Sequence, residues 1–180
     1  MRKLRSSLDD EVDHESARSG PALILFSIGY EGRTIPQFLQ DLEKAGVRQL
    51  VDVREAPISR KRGFSRYDLA EALQDAGIAY RHLRALGCPK PVRDRYKLDH
   101  DWSRYTQKFH QHLAQQQPAL EEVRALVVSG PTAVLCYEAD FTRCHRTFVA
   151  RAVAERTGAR ICHITPAGLV EDRIPDALSA

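Results

Sequence analysis

The sequence predicts an α/β fold: a mainly parallel, open sheet of about five strands with helices on both faces and a helical insertion before the fourth strand. Three observations predict it. Short apolar runs alternate along the chain with stretches of helical spacing, the pattern of βαβ units and right-handed crossovers. Glycine or proline stands at most of the junctions. Polar and charged residues collect where the apolar runs end, and in open α/β sheets that edge is where ligands bind.

Ala22 to Ile28 is the first apolar run, stopped by Gly29, and reads as a buried strand. Thr34 is placed to cap the next helix, with Pro36 tolerated in its first turn. Ile35, Phe38, Leu39 and Leu42 share one face of that helix, which ends near Gly46. Gln49 to Arg54 is the second strand, and Ala56 to Ser65 a polar, basic loop. Tyr67 to Ala76 is the second helix, ended by Gly77 ahead of a third strand, Ile78 to Leu83. Gly87, Pro89 and Pro91 mark Arg84 to Pro91 as loop. Asp99 to Gln116 reads as a longer helix, and Pro118 opens another that runs to about Val128. Ser129-Gly130-Pro131 breaks it before the fourth strand, Thr132 to Glu138. Thr142 to Thr157 is the last helix, with Gly158 behind it, and Arg160 to Thr165 the fifth strand.

A chain of 180 residues, 43% hydrophobic and 28% charged, has enough interior for a real core, and residues 21–180 read as one α/β domain. Residues 1–20 are charged, lack an apolar signal-peptide core and read as a disordered tail. No apolar run approaches the roughly 20 residues that span a bilayer, so no membrane partner is expected. Cys88, Cys136, Cys144 and Cys162 lack the dense spacing of a secreted disulfide scaffold, which predicts reduced thiols in a cytoplasmic protein. The net charge of +3 is too small to argue for nucleic acid by itself. Its distribution says more: Arg54, Arg60, Lys61, Arg62 and Arg66 face a single acid, Glu55, within thirteen residues.

Chemistry concentrates in Cys136-Tyr137-Glu138 and, a few residues later, Cys144-His145-Arg146. Period-two alternation puts Cys136 and Glu138 on one side of their strand, and Asp52 and Arg54 on one side of theirs. Cys144-His145-Arg146 falls in the first turns of the last helix, with Asp140 or Thr142 as candidate cap. The positive end of a helix dipole favours an anion and lowers a thiol's pKa. His145 can take the Cys144 proton, and Arg146 can grip a phosphate or carboxylate. The structural alternative is that Cys144 is a small buried hydrophobe beside Phe148 and Ala152. Asp52 and Arg54 fit equally well as braces between loops.

Three sharper motifs fail. A zinc deaminase would need Pro-Cys-x-x-Cys after the first half-signature, and only Cys144 follows. Cys136, Cys144 and His145, with Cys162-His163 in reach, match no standard zinc spacing, so no metal ligand is assigned. Gly29 and Gly32 are too few for a phosphate-binding glycine loop, and no cofactor is indicated. The loop Pro57 to Ser65 can fold over a phosphate or touch a nucleic-acid backbone. Trp102, Tyr105 and Phe109 stand among basic residues, but their helical spacing suits burial better than base stacking.

These residues carry a family resemblance. The matching elements are Ser27-Ile28-Gly29-Tyr30 with Gly32-Arg33, then Val51-Asp52-Val53-Arg54 with Pro57 and Ser59-Arg60. Gly77-Ile78-Ala79-Tyr80 and Leu86-Gly87 follow, then Leu135-Cys136-Tyr137-Glu138, Cys144-His145-Arg146 and His163-Ile164. In these the sequence resembles the bacterial and archaeal proteins grouped as domain of unknown function 488 (DUF488), over about Ile24 to Ile164. Cys88 stands where the family pattern carries a second glycine. The resemblance implies no activity, because the family has none assigned.

The expectation is an enzyme acting on a phosphate-bearing small molecule, nucleotide or nucleic-acid end. Asp52, Glu138, Cys144 and His145 are its candidate catalytic residues, and Tyr30, Arg33, Arg54, Ser59, Arg60 and Arg146 its candidate ligand contacts. The alternatives are a non-catalytic nucleic-acid-binding module and a metal-bound regulatory or redox protein.

Overall fold

β1 (Ile24–Gly29) is buried from its second residue onward and must be covered on both faces. A computed structural model describes residues 22–173 and supplies both covers; the tail expected over residues 1–20 lies outside the described residues. The remaining elements are α1 (Ile35–Lys44), β2 (Gln49–Asp52), α2 (Arg66–Asp75), β3 (Ala79–His82), α3 (Lys90–Asp99) and α4 (Trp102–Leu113). They continue with α5 (Gln117–Ser129), β4 (Thr132–Cys136), α6 (His145–Thr157), β5 (Arg160–Thr165) and β6 (Gly168–Glu171). The sheet runs β3-β2-β4-β1-β5-β6, parallel except for the antiparallel β5–β6 pair.

Alternation along the strands sorts two cores. Leu25, Val51, Val53, Val134 and Ile161 pack with Phe109, Val123, Val149 and Val153 under α4, α5 and α6. Phe26, Ile28, Leu50, Ala133 and Leu135 pack with Phe38, Leu42, Leu69 and Leu73 under α1 and α2. Thr34 and Gln37 close a capping box at the start of α1, satisfying two otherwise orphaned donors. Trp102, Tyr105 and Phe109 lie on α4; Tyr105 and Phe109 are buried, as their spacing predicts. No helix among the described residues is long and apolar enough to cross a membrane.

Four features differ from the sequence reading. Among the described residues the sheet has six strands, because β6 folds back on β5 as a hairpin. α3 occupies part of the stretch read as loop: Pro89 is its N-cap and Pro91 lies in its first turn. His100, at φ 51, ends α3 and separates it from α4. At the C-terminal edge, Asp140 caps a short 3-10 turn, Phe141–Arg143, by accepting from the Thr142 amide at 2.8 Å. α6 therefore starts one turn later than its predicted cap, with Cys144 itself as N-cap residue.

Candidate functional site

The site is built where β4 runs out beside β1. Pairing continues past both strands: the Tyr30 amide donates to the Cys136 carbonyl at 3.3 Å and the Glu31 amide to the Tyr137 carbonyl at 2.8 Å. Gly29 lies so close under this extension that a Cβ would stand 1.7 Å from the Glu138 carbonyl oxygen. Only glycine fits there. From the other side Arg146, 1% exposed, donates to the Glu138 and Ala139 carbonyls at 2.5 and 3.3 Å and to Ser27 Oγ at 3.3 Å. The Glu138 backbone is thus clamped between a glycine and a guanidinium.

Its carboxylate turns back toward the thiols. Glu138 Oε2 lies 2.9 Å from Cys136 Sγ and 3.0 Å from Cys144 Sγ. His145 Nδ1 is 3.6 Å from Cys136 Sγ. Its Nε2 is 3.0 Å from the Val53 carbonyl, an acceptor only, so Nε2 carries a proton and Nδ1 is the nitrogen nearer Cys136. One donor atom from each of Cys136, Glu138, Cys144 and His145 lies within 4.8 Å of the others.

Burial and this crowding shift the titrations. Burial, with the Cys144 charge behind it, pushes the Glu138 carboxyl up to about 7. Burial and then Cys144 also push the Cys136 thiol well above its usual range. Burial alone would raise Cys144 too, but the Cys136 hydrogen bond, the Arg146 charge and His145 outweigh it and hold that thiol well below its usual range. His145 moves up, since Cys144 and Glu138 outweigh its burial.

Cys136, Glu138 and His145 form the floor of a cavity of about 550 Å³. Its walls carry six cations, Arg54, Arg60, Lys61, Arg93, Lys97 and Arg143, against two acids, Glu31 and Glu55. Tyr30, Tyr96, Trp102, Tyr105 and Tyr137 supply aromatic surface. Arg93 pairs with Glu55, and Lys61 Nζ donates to the Tyr30 carbonyl at 3.2 Å. Arg60 and Arg143 form no ion pair among the described residues; the Arg143 guanidinium lies 5.3 Å from the centre of the Trp102 ring.

The ten residues singled out from the sequence divide. Tyr30, Arg54, Ser59, Arg60, Glu138 and His145 line the cavity. Cys144 touches Glu138 but sits behind the floor, 1% exposed. Asp52, Arg33 and Arg146 do not line it, which corrects their place among the candidate catalytic and ligand-contact residues. Asp52 lies under the opposite face of the sheet, in a bidentate pair with Arg54 and 2.7 Å from Tyr80 Oη. Arg54 is itself partly committed, donating to Tyr30 Oη and to the Phe64 carbonyl. Arg33 ties strand ends together: it pairs with Asp41 at 2.8 Å and donates to the Gly29 and Ile164 carbonyls.

The sequence reading missed Arg143, whose 3-10 turn presents it to the cavity, and gave no site role to Arg93 and Lys97, which arrive on α3. It also paired Cys162-His163 with the site. They lie elsewhere: Cys162 packs toward α1 and α2, and His163 joins a separate buried group. In that group Ser27 Oγ is 2.7 Å from His163 Nδ1, Phe141 stacks on the ring at 3.8 Å, and Asp172 Oδ1 stands 3.6 Å from Nε2.

Comparison with curated proteins and with solved structures finds no match. The family model described as "Domain of unknown function DUF488" matches residues 34–153, from the N-cap of α1 into α6. That span takes in Asp52, Arg54 and the whole Cys136–Arg146 segment, and is narrower than the stretch over which the resemblance was read. The chain that folds these residues into one cluster belongs to the DUF488 family.

Proposed function

We propose that this DUF488 protein is a cytoplasmic enzyme acting on a phosphate-bearing small molecule, nucleotide or nucleic-acid end at the C-terminal edge of its sheet. One observation carries the reading: a cavity with six cations and two acids on its walls ends on a floor of thiol, carboxylate and imidazole. An excess of guanidinium and ammonium groups in a concave, low-dielectric site attracts and orients a phosphate. Arg60 and Arg143, which have no anionic partner among the described residues, are the groups available to grip it. Aromatic walls beside them suit a ligand with a flat, apolar part. Proton transfer, by Glu138 and His145, is the chemistry that the floor residues offer.

A thermal-shift screen of nucleotides, sugar phosphates and simple anions tests the binding half. A ligand at a hundred times its Kd stabilises by about 2.7 kcal/mol, and the shift is expected to shrink in the Arg60→Ala and Arg143→Ala variants. No stabilisation by any anion sinks the reading. Mass spectrometry of the ligand after incubation tests the catalytic half: a ligand recovered unchanged points to a binding module instead.

A further inference from the structure

We propose that Cys136, Glu138, Cys144 and His145 form the binding site of one divalent, borderline-soft metal ion of the zinc class. The inference goes beyond the anion reading and stands without it, because it rests on the donor set alone.

Two thiols, an imidazole and a carboxylate are the side chains that such an ion selects, and four is the number it takes in a tetrahedral site. Their donor atoms already lie within 4.8 Å of one another. A tetrahedron with bonds of about 2.0–2.3 Å has donor-to-donor edges of about 3.3–3.8 Å. The His145–Cys136 edge, at 3.6 Å, already has that length. The two Glu138 edges, at 2.9 and 3.0 Å, need only to open by about half an ångström, which a carboxylate allows by turning about its last bond.

A second observation is independent of the distances. His145 gives its Nε2 proton to the Val53 carbonyl, 3.0 Å away, and this fixes both the tautomer and the ring plane. Metal-ligating histidines characteristically donate their other N–H to a carbonyl or carboxylate in this way. That leaves Nδ1, 3.6 Å from Cys136 Sγ, as the ring nitrogen free to ligate. The backbone is equally fixed, since Gly29 and Arg146 hold Glu138 in place and Cys144 is pinned as the N-cap residue of α6. The spacing, two donors from a strand end and two from the following helix start, resembles no standard zinc signature, which is why the sequence does not display the site. An ion held there would form the cavity floor, with Cys144 behind it and Glu138 facing the open side.

The test uses the full chain purified without an affinity tag, stripped with a chelator, and kept in a non-chelating reductant so that Cys136 and Cys144 stay as thiols. Equilibrium dialysis against zinc, read by elemental analysis, is expected to give one ion per chain. Cobalt in place of zinc is expected to give a thiolate-to-cobalt charge-transfer band and the intense visible bands of four-coordinate geometry. Cys144→Ser and His145→Ala should lose the stoichiometric ion, while Cys162→Ser, outside the cluster, should keep it. Less than a tenth of an equivalent of zinc on the wild-type chain overturns the proposal. So does a cobalt spectrum without the thiolate band, or full binding by Cys144→Ser. No anion enters these measurements, so their failure leaves the anion reading to its own screen.

Discussion

His145 at the start of α6 and His163 in β5 are both buried on the α6 side of the sheet, 5% and 0% exposed, and each touches a hydroxyl or thiol from a neighbouring strand. Around His145 the neighbours are two thiols and a carboxylate, and three of the four groups open on a cavity. Around His163 the neighbours are Ser27, Phe141, Arg146 and Asp172, none of which lines that cavity. Ser27, His163 and Asp172 are even the residue types of a hydrolytic triad. Yet Ser27 is fully buried, Asp172 stands 3.6 Å from the ring, and His163 Nε2 has no hydrogen-bond partner among the described residues. The difference teaches that residue type and proximity do not make a reactive centre; an opening beside them does. The His163 group is a strut that ties β1, β5 and α6 together.

The largest effect is expected at the glycine under the Glu138 backbone. Gly29→Ala would drive a methyl into the Glu138 carbonyl, which Arg146 holds from the other side. The expected loss is about 4 kcal/mol of stability, read as a drop in the urea midpoint, because backbone rather than a flexible side chain must move. A near-neutral Gly29→Ala would show that the β1–β4 extension is not held as described.

Acid should separate the two regions in the metal-free protein. Burial depresses His163 to about 4, so between about 6.5 and 4 the unfolded chain takes up a proton that the native chain refuses, and stability falls as pH falls. Glu138, raised to about 7, has the opposite sign. Between about 4.5 and 7 the native chain keeps a proton that the unfolded chain releases, so its contribution to stability falls as pH rises. Each contribution amounts to at most about 3.4 kcal/mol across its window. His163→Gln should therefore become more stable on acidification from pH 7 to 5 relative to wild type, and Glu138→Gln less stable. Denaturant titrations at a series of pH values read both slopes, and identical profiles for the two variants would contradict the assignment.

The smallest effect on stability should be the most selective for function. Arg143→Ala removes a cation from the cavity wall and should change stability by no more than about 0.5 kcal/mol. It should weaken phosphate-ligand binding about fivefold, the equivalent of about 1 kcal/mol. Arg151→Ala removes the same charge beside the His163 group, where Arg151 pairs with Asp172. That variant should lose stability while ligand affinity stays unchanged. Equal losses of affinity in both would reduce the cavity to a general effect of net charge.

Most of the sheet was legible because its strands are apolar on both faces and its helices carry a stripe. α3 was hidden because none of its ten residues is buried, so no stripe exists to be read, and its prolines imitate a loop. β6 was hidden for the same reason: all four residues are exposed, and only pairing with β5 makes them a strand. In the site, alternation correctly placed Cys136 and Glu138 on one side, since that depends only on strand geometry. The arginines were not separable by sequence. Arg33 and Arg146 spend their guanidinium groups on backbone carbonyls and on Asp41 or Ser27, whereas Arg143 faces the cavity. Which carbonyls go unpaired at a strand end is a tertiary fact that no local motif encodes.

The strand order also imposes a schedule on the growing chain. β1 and β2 are made first, but they are not neighbours; β4, buried along its whole length, lies between them. Until residues 132–136 arrive, the early half of the protein holds two strands whose facing edges have nothing to bond to, with about eighty residues of intervening chain to draw along. Such long-range closure is slow, and open strand edges invite pairing with other chains. The segment that joins the two early strands is also the one that delivers Cys136, so the protein cannot close the middle of its sheet without bringing the first of the clustered donors into place.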